Sequence, residues 1–344
     1  MTGLQLVTGG SGYLGSYLVR KLRERGANVR VFDLNDAEDR PADVEWCRGD
    51  IRDAEAIGAA CRGVDTVYHM VAQVPLARDR ALFQSVNVDG TERMLSAALA
   101  SGVRKVVYTS SSAVYGVPAE LPVSEATPPT PAEAYGRAKY VGEQACARYA
   151  HEGLDVTIIR PRTIVGDGRL GIFHILFEWI RRGANVPVLG TGDNVYQFVH
   201  VADLTEACTL AAARAGASAY NCGAARYGTM RQVLQHLCNH AGTGSAVKSV
   251  PQWLAESAMA VTDGLGLSPL GGYHRLMYGR SMYFDNRKAN DELCWTPRYS
   301  NEEMFVESYE WYIQNRDTLA GQGATSHHRG PVKEGALRLL RWIL

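Results

Sequence analysis

Two residues four positions apart in the run AEAYGRAK, Tyr135 and Lys139, are of types that can move a proton on a hydroxyl group. A phenol has an ordinary pKa of about 10, so it acts as a base at neutral pH only where positive charge stabilises the phenolate. Residues four apart share one face of a helix, which puts the lysine beside the tyrosine. Because both residue types are common, the pair alone has little diagnostic value and needs support from the rest of the chain.

A glycine-rich run, TGGSGYLG at 8–15, follows the apolar run LQLVT and opens a stretch typical of a helix. Gly9, Gly12 and Gly15 allow a tight turn and let backbone N–H groups approach a pyrophosphate at the helix N-terminus. Asp33 ends the next apolar run, where a carboxylate can accept hydrogen bonds from both ribose hydroxyls of NAD. A 2′-phosphate would meet like charge there, so the pattern favours NAD over NADP. Together with the tyrosine–lysine pair, it predicts hydride transfer between a nicotinamide and a carbon that bears oxygen.

A cluster of serines supports this chemistry. The run KVVYTS at 105–110 leads into SSSAVYG at 110–116, which places hydroxyl groups at the carboxyl end of a predicted parallel strand. Ligands bind at that end of the strands in open α/β sheets. A serine there can donate a hydrogen bond to the reacting oxygen while Tyr135 exchanges its proton.

Short apolar runs alternate with longer helical patterns through the first half of the chain. We predict strands at 4–8, 28–33, 64–70, 105–110 and 154–160. We predict helices around 13–25, 53–61, 79–101 and 132–152. This alternation is typical of βαβ units, so the predicted fold class is α/β, a Rossmann-type doubly wound parallel sheet with a smaller α/β substrate lobe.

The alternation breaks after Pro161, and a segment at 196–211 returns to a strand followed by a helix. We therefore predict an NAD-binding domain at 1–160 plus 196–222 and a substrate lobe at 161–195 plus 223–320, with the substrate between them. The segment 321–344 is predicted to be a linker followed by an amphipathic helix. That helix either docks on the protein or a partner subunit, or makes a weak contact with a membrane surface.

The composition excludes several other classes of protein. Lys+Arg and Asp+Glu cancel at 36 each, which gives no net charge to attract a nucleic acid. The seven cysteines form no CxxC pair and no regular framework, which is typical of reduced thiols in a cytoplasmic protein. No apolar run approaches the ~20 residues that a membrane-spanning helix needs. The run HLCNH at 236–240 has no further ligand at a fitting spacing, so no metal site is predicted.

Taken in their order, these motifs resemble the extended short-chain dehydrogenases/reductases, in the NAD-dependent epimerase/dehydratase group, over residues 3–315. The matching runs are TGGSGYLG, GDIRD at 49–53, VNVDGT at 86–91, SSSAVYG, YGRAK, RP at 160–161, FVHVADL at 198–204 and DELCW at 291–295. The chain looks similar to UDP-galactose 4-epimerase and, more distantly, to 3β-hydroxysteroid dehydrogenases. The resemblance implies NAD as cofactor and a homodimer formed through the helices near 79–101 and 132–152.

The resemblance also implies roles for individual residues. The catalytic residues would be Ser111, Tyr135 and Lys139. Asp50 and Ile51 would flank the adenine, and Asn87 would support the catalytic strand. The full set implied for cofactor binding is Gly9, Gly12, Tyr13, Leu14, Gly15, Asp33, Asp50, Ile51, Val71, Ala72, Asn87, Tyr135 and Lys139.

The residues after Ser111 narrow the reaction. Sugar-nucleotide 4,6-dehydratases carry an Asp–Glu pair there, and uronic acid decarboxylases carry a glutamate at the second of these positions. This chain has Ser112 and Ala113. Without a second acid/base couple, we expect oxidation or reduction at one carbon, either as a net reaction or within an epimerisation.

The residues that would bind the substrate fit the resemblance less well. Thr163 and Tyr196 stand where sugar-nucleotide epimerases have two contacts to the diphosphate. Arg275 matches a phosphate-binding arginine of UDP-galactose 4-epimerase by spacing, and Arg280 is a nearby substitute. The predicted substrate-binding residues are Ser112, Arg162, Thr163, Tyr196, Arg275 and Arg280. The segment 253–285 is strongly apolar, as in relatives with apolar substrates, or it is ordinary core.

Three hypotheses follow. The leading one is an NAD-dependent epimerase or dehydrogenase of a nucleotide-linked sugar, acting through a keto intermediate. The alternative is a 3β-hydroxysteroid- or ketone-type dehydrogenase or reductase with an apolar substrate. The third is a catalytically silent NAD-binding scaffold, and the intact set of Ser111, Tyr135 and Lys139 argues against it.

Overall fold

The computed structural model describes residues 3–37, 39–74, 80–251, 277 and 279–319. The strands are β1 (Leu4–Thr8), β2 (Val29–Asp33), β3 (Glu45–Arg48), β4 (Val64–His69), β5 (Lys105–Thr109), β6 (Val156–Pro161), β7 (Thr163–Val165), β8 (Val186–Leu189), β9 (Val195–Tyr196), β10 (Phe198–His200), β11 (Ser218–Cys222), β12 (Gly228–Thr229) and β13 (Val247–Val250). The helices are α1 (Tyr13–Glu24), α2 (Ala54–Cys61), α3 (Arg80–Leu82), α4 (Gly90–Ala100), α5 (Ala134–His151), α6 (Phe173–Arg181), α7 (Val201–Ala213), α8 (Met230–Ala241), α9 (Arg287–Leu293) and α10 (Asn301–Leu319). A π-helical segment, Phe83–Asp89, joins α3 to α4, and a 3-10 turn, Ser112–Tyr115, follows β5.

Seven strands form the central sheet in the order β3-β2-β1-β4-β5-β6-β11. Every neighbouring pair in this sheet is parallel. The order reverses direction between β1 and β4, which is the point where doubly wound sheets open a crevice for a ligand. The predicted fold class is confirmed.

Helices cover both faces of the sheet. On one face α1, α7 and α9 bury their apolar side chains, and Trp295 joins the same cluster just after α9. On the other face α2, α4 and α5 pack against the same strands. Two apolar faces explain why the central strands read as continuous apolar runs, as buried parallel strands do.

The predicted strands and helices of the first half agree with the structure to within two residues at each strand end. The two edge strands, β3 and β11, were not predicted. β3 reads EWCR and contains no buried residue, so no apolar alternation marks it in the sequence. β11 reads SAYNC and buries only its last three residues, one of which is the polar Asn221. Edge strands are half covered and therefore carry a weaker hydrophobic signal.

A third buried cluster lies beside the central sheet and unites α6, α8 and α10. It is bordered by the strand pairs β7–β10 and β8–β13, both parallel, and the antiparallel pair β9–β12. The division into two domains stays a prediction. Within the range predicted for the substrate lobe, α9 and Trp295 pack with the central sheet and not with the third cluster.

Some predictions fall outside the described residues. They concern Arg275, most of the apolar segment 253–285 and the C-terminal segment 321–344. Within the described parts of the chain, no helix is long and apolar enough to cross a membrane.

Candidate active site

A cleft of about 370 Å³ runs along the carboxyl ends of β1, β2, β4, β5 and β6. This volume lies within the range of small-molecule sites. The cleft collects predicted residues that are far apart in sequence. Those that line it are Gly9, Gly12, Tyr13, Leu14, Gly15, Asp33, Asp50, Ile51, Val71, Ala72, Ser111, Ser112, Tyr135, Lys139, Arg162 and Thr163.

The glycine loop between β1 and α1 is as compact as its spacing predicts. Gly9 has a φ of +73°, and its N–H donates to the carbonyl of Phe32 at 2.8 Å. A Cβ atom on Gly15 would lie 2.1 Å from the carbonyl oxygen of Gly9, so no other residue fits there without a shift. No side chain caps α1, and its first turn holds no acidic residue. The N-terminus of α1 is thus suited to an anion.

Asp33 ends β2 at the rim of the same loop. Its Oδ2 atom accepts the N–H of Ser11 at 3.1 Å, and burial raises the pKa of its carboxyl group. Asp50 lines the cleft nearby and forms a two-pronged ion pair with Arg52, whose hydrogen bonds lower the pKa of that carboxyl. Arg52, which lines the same cleft as Asp33, is therefore already paired with a carboxylate.

Asn87 acts on the cleft through the backbone. It is 1% exposed and does not line the cleft. Its side chain accepts the N–H of Gln73 at 2.7 Å and donates to the carbonyl of Gln73 at 2.9 Å. These two bonds fix the segment after β4, in which Val71 and Ala72 line the cleft.

The three serines after β5 have three different partners. Ser110 is buried and donates to Glu143 at 2.5 Å. Ser112 is buried and accepts from Arg162 at 2.9 Å. Ser111 forms the side-chain hydrogen bond to Tyr135 and faces the cleft. Of the three serines, Ser111 is thus the one that hydrogen-bonds to Tyr135.

Tyr135 and Lys139 lie on one face of α5, as their spacing predicts. The Nζ atom of Lys139 donates to the carbonyl of Thr109 at 2.7 Å, and burial lowers its pKa to about 8. Burial raises the pKa of Tyr135 to about 12, against a lowering by the hydrogen bond from Ser111. The protein's own groups therefore do not supply the lowered phenol pKa that the sequence predicts. Besides Lys139, the oxidised nicotinamide ring of bound NAD would carry positive charge near the phenol, and such a charge favours the phenolate.

Glu133, which the sequence analysis did not single out, caps the helix that carries the tyrosine. Its carboxylate accepts the N–H groups of Tyr135 and Gly136 at 2.7 and 2.5 Å. An acidic cap at this end suits the helix dipole and orients the first turn of α5. The signal was available, since Glu133 stands two residues before Tyr135 at a predicted helix start.

Some of the predicted substrate-binding residues line the cleft, and others do not. Arg162 is 1% exposed, lines the cleft, donates to the carbonyl of Gln197 at 3.1 Å and lies 4.5 Å from the ring centre of Tyr196. Thr163 also lines the cleft and shares a 3.1 Å hydrogen bond with the hydroxyl of Tyr196, which is not among the lining residues. Arg280 is exposed and is not among the residues that line the cleft.

One group of potential metal ligands occurs in the described residues, at Asp167, His200 and Glu307. The Nδ1 atom of His200 accepts the N–H of Ala202 at 3.2 Å, so the Nε2 atom is the one that faces the two carboxylates. That Nε2 atom lies 2.6 Å from a carboxylate oxygen of Glu307. His200 and Glu307 thus lie in contact with each other, and the sequence analysis did not single out this group.

The sequence model of the NAD dependent epimerase/dehydratase family matches residues 5–223. This chain belongs to that family.

Several proteins are similar to this chain over most of their length. The uncharacterized protein y4nG of Sinorhizobium fredii is 51% identical over 98% of this chain and 86% of its own length. The UDP-glucose 4-epimerase of Mycolicibacterium smegmatis is 30% identical over 89% of this chain and 97% of its own. Sterol demethylase protein B of Methylococcus capsulatus is 31% identical, with the same two shares.

Solved structures show the same fold. The UDP-glucose 4-epimerase of Thermotoga maritima, solved with UDP-glucose, has a TM-score of 0.77 and 27% identity, and the match covers 91% of this chain and 99% of that one. The UDP-glucose 4-epimerase of Thermus thermophilus, solved with NAD, has a TM-score of 0.75 and 27% identity over 90% and 99% of the two chains.

This epimerase/dehydratase family member is an NAD-dependent enzyme, and its cleft fits the cofactor. The N-terminus of α1 would receive the pyrophosphate, and Asp33 at the end of β2 would accept the ribose hydroxyls. When bound, NAD takes a hydride from a carbon and can return it. Tyr135, Ser111 and Lys139 line the same cleft beside β5, from which β1 and β4 separate Asp33 at the end of β2.

Proposed function

We propose that the enzyme interconverts or oxidises a hydroxyl-bearing carbon of a nucleotide-linked sugar, most simply as a 4-epimerase. Tyr135 accepts the proton of the substrate hydroxyl, Ser111 donates a hydrogen bond to the same oxygen, and Lys139 keeps its positive charge close to the phenol. In an epimerase, the keto intermediate turns, and the hydride returns to its other face.

One observation supports this reaction above others of the family. Among the described residues, the carboxylates that line the cleft are Asp33 and Asp50, and both lie at the β2 end, away from Tyr135. Elimination of water or loss of a carboxyl group needs a second acid/base group beside the reacting carbon. The two positions after Ser111 do not offer one, because Ser112 is bonded to Arg162 and Ala113 is 1% exposed.

The relatives support a nucleotide sugar as the substrate class, since three of the proteins named above are UDP-glucose 4-epimerases that match most of this chain. The experiment is to incubate the purified enzyme with UDP-glucose or UDP-galactose, without added NAD, and to follow the sugar by proton NMR. The proposal is supported if the wild-type enzyme forms the other epimer and the Tyr135→Phe variant does not. An unchanged sugar in the presence of excess NAD contradicts it.

A second candidate is a dehydrogenase for an apolar cyclic alcohol. It is favoured by the replacement of two diphosphate contacts with Thr163 and Tyr196, which share a hydrogen bond with each other. The similarity to a sterol demethylase protein also favours it. NADH formation with a 3β-hydroxysteroid, together with no detectable binding of UDP, would select this candidate over the sugar.

We also propose that the enzyme is a homodimer that pairs through α4 and α5. Both helices lie on one face of the sheet. Val141 on α5 is one of the large hydrophobic side chains that remain exposed, at 39%.

The cysteines support a reducing compartment such as the cytoplasm, because all seven are free thiols.

A further inference from the structure

Arg169 lies in the loop after β7 and lines the cleft on the side facing the glycine loop. The centre of its guanidinium group is 5.5 Å from the ring centre of Tyr13, the first residue of α1. Its Nε atom donates to the carbonyl of Ile164 at 3.2 Å. Its Nη1 atom is buried and has no hydrogen-bond partner among the described residues. A buried, incompletely bonded guanidinium group at a ligand cleft indicates that an anionic ligand completes it.

The other basic side chains of the described cleft are engaged with protein oxygens. Arg52 pairs with Asp50, Lys139 donates to Thr109, and Arg162 donates to Ser112. Arg169 is the basic side chain in contact with Tyr13, and so it is the one placed at the N-terminus of α1.

Electrostatics agree with this position. Burial lowers the pKa of Arg169 to about 10, which means that the protein alone destabilises the charged guanidinium. An anion beside it would reverse that effect. The N-terminus of α1 supplies roughly half a positive charge. A pyrophosphate carries about two negative charges at neutral pH, so the helix alone leaves most of them unbalanced.

The loop that carries Arg169 is tied to α1 by further contacts. The hydroxyl of Tyr17, one turn into α1, donates to the Asp167 side chain. Gly166 packs so closely that a Cβ atom there would lie 2.9 Å from the Tyr13 hydroxyl. Because the loop and the helix are joined in this way, Arg169 is held at a fixed position relative to the glycine loop, as expected of a preorganised binding group.

We propose that Arg169 binds the pyrophosphate of NAD from the side opposite the glycine loop, as a fixed donor beside the N-terminus of α1. The proposal depends on the use of NAD by this family and is independent of which alcohol the enzyme oxidises. The ligand chemistry is a diphosphate, and the substrate is the second possible source of such a group.

The test compares three probes on nucleotide-free protein: ADP-ribose, which contains the pyrophosphate, adenosine, which lacks it, and UDP, which represents the substrate diphosphate. Dissociation constants come from titration calorimetry for ADP-ribose and UDP and from ligand-observed NMR for adenosine. For Arg169→Gln we expect ADP-ribose to bind about 10- to 100-fold more weakly, the range for losing hydrogen bonds to a charged group, with adenosine and UDP unchanged. Arg226→Gln is the matched control, because this arginine is 64% exposed and lies away from the cleft.

Equal losses for ADP-ribose and adenosine, no loss for ADP-ribose, or a loss restricted to UDP would each overturn the proposal. If Arg169→Gln does not fold, Arg169→Lys gives the same test, since lysine keeps the charge but not the planar set of donors. It should weaken ADP-ribose by roughly 3- to 10-fold and leave adenosine unchanged. An undiminished affinity for ADP-ribose in that variant overturns the proposal. A failure of the sugar assay leaves these outcomes unaffected, so the two proposals are tested separately.

Discussion

The guanidinium group of Arg160 donates to both carboxylate oxygens of Glu143, at 2.9 and 2.6 Å, in an ion pair whose side chains are 9% and 4% exposed. Glu143 lies one turn after Lys139 on α5, and Arg160 lies at the end of β6. The same carboxylate accepts the hydroxyl of Ser110. The pair thus joins the helix that carries the phenol to the turn that carries Ser111, and it holds them at hydrogen-bond distance.

Loss of one partner of this pair should destabilise the protein strongly. Glu143→Gln leaves a buried arginine without its counter-charge, which costs about 3–5 kcal/mol of unfolding free energy. Urea denaturation measures this loss of unfolding free energy. The matched control is Glu92→Gln, whose partner Arg148 is largely exposed and whose loss costs about 0–1 kcal/mol. Equal small losses in the two variants would show that the pair does not join the helix to the turn.

Tyr135→Phe should abolish most of the activity and leave the cofactor in place. Removing a positioned proton-transfer group lowers turnover by about 10²- to 10⁴-fold, while a lost hydroxyl barely changes the volume of the side chain. Turnover of the NMR-detected substrate and the affinity for NADH measure the two effects. Tyr140→Phe, on the same helix, is the control and should keep normal turnover. Near-normal turnover of Tyr135→Phe would exclude the mechanism.

Asp33→Ala should change the choice of cofactor. The carboxylate stands at the end of β2, where it can accept ribose hydroxyls and repel a 2′-phosphate, so its loss should weaken NAD by about 10-fold or more and NADP far less. Fluorescence titrations with NADH and NADPH measure the ratio. Asp36→Ala, an exposed aspartate paired with Arg40, is the control and should leave the ratio unchanged. Equal losses for both cofactors would contradict the assigned role of Asp33.

A charged substitution on α5 tests the proposed dimer interface. Val141→Glu on α5 should shift the protein towards monomers, because a desolvated carboxylate without a partner opposes burial in an interface. Sedimentation velocity measures the mass. Val117→Glu carries the same change at the same 39% exposure, outside the helices, and should not alter it. A monomeric wild-type protein, or a Val141→Glu variant that stays dimeric, would contradict pairing through α5.

The central sheet could be predicted because its strands are covered by helices on both faces, and burial on both sides leaves a strong apolar pattern. The glycine loop, Asp33 and the tyrosine–lysine pair could be predicted for a different reason. Their chemistry depends on spacing along one element, such as four residues on α5 or one loop before α1. Local geometry of this kind is visible in the sequence.

Contacts between distant segments could not be predicted in this way. Arg169 meets Tyr13 across more than 150 positions, and nothing near Arg169 in sequence indicates that a helix N-terminus lies beside it. The spacing also places Lys139 near Tyr135 but does not show that its ammonium group donates to Thr109 or that burial raises the pKa of the phenol.

The buried Lys139 gives the stability a dependence on pH that can be measured. Its pKa falls from 10.5 in the unfolded chain to about 8 in the folded protein, with burial as the largest cause. Between pH 8 and pH 10 the unfolded state therefore binds more protons than the folded state, and stability rises with pH in this window. Lys139→Met removes the contribution. The free energy of unfolding of the wild type should thus gain about 1–2 kcal/mol relative to Lys139→Met from pH 8 to pH 10.

Comparing the wild type with the variant at each pH cancels the titration of the other buried groups. Burial raises the pKa of Tyr135, and the resulting loss of stability above pH 10 has the opposite sign, so the measurement stops there. Lys248→Met, at an exposed position on β13, is the matched control and should show no change of this difference with pH. A flat difference for Lys139→Met as well would mean that the folded protein keeps Lys139 charged up to pH 10, and that its hydrogen bond to Thr109 outweighs the cost of burial.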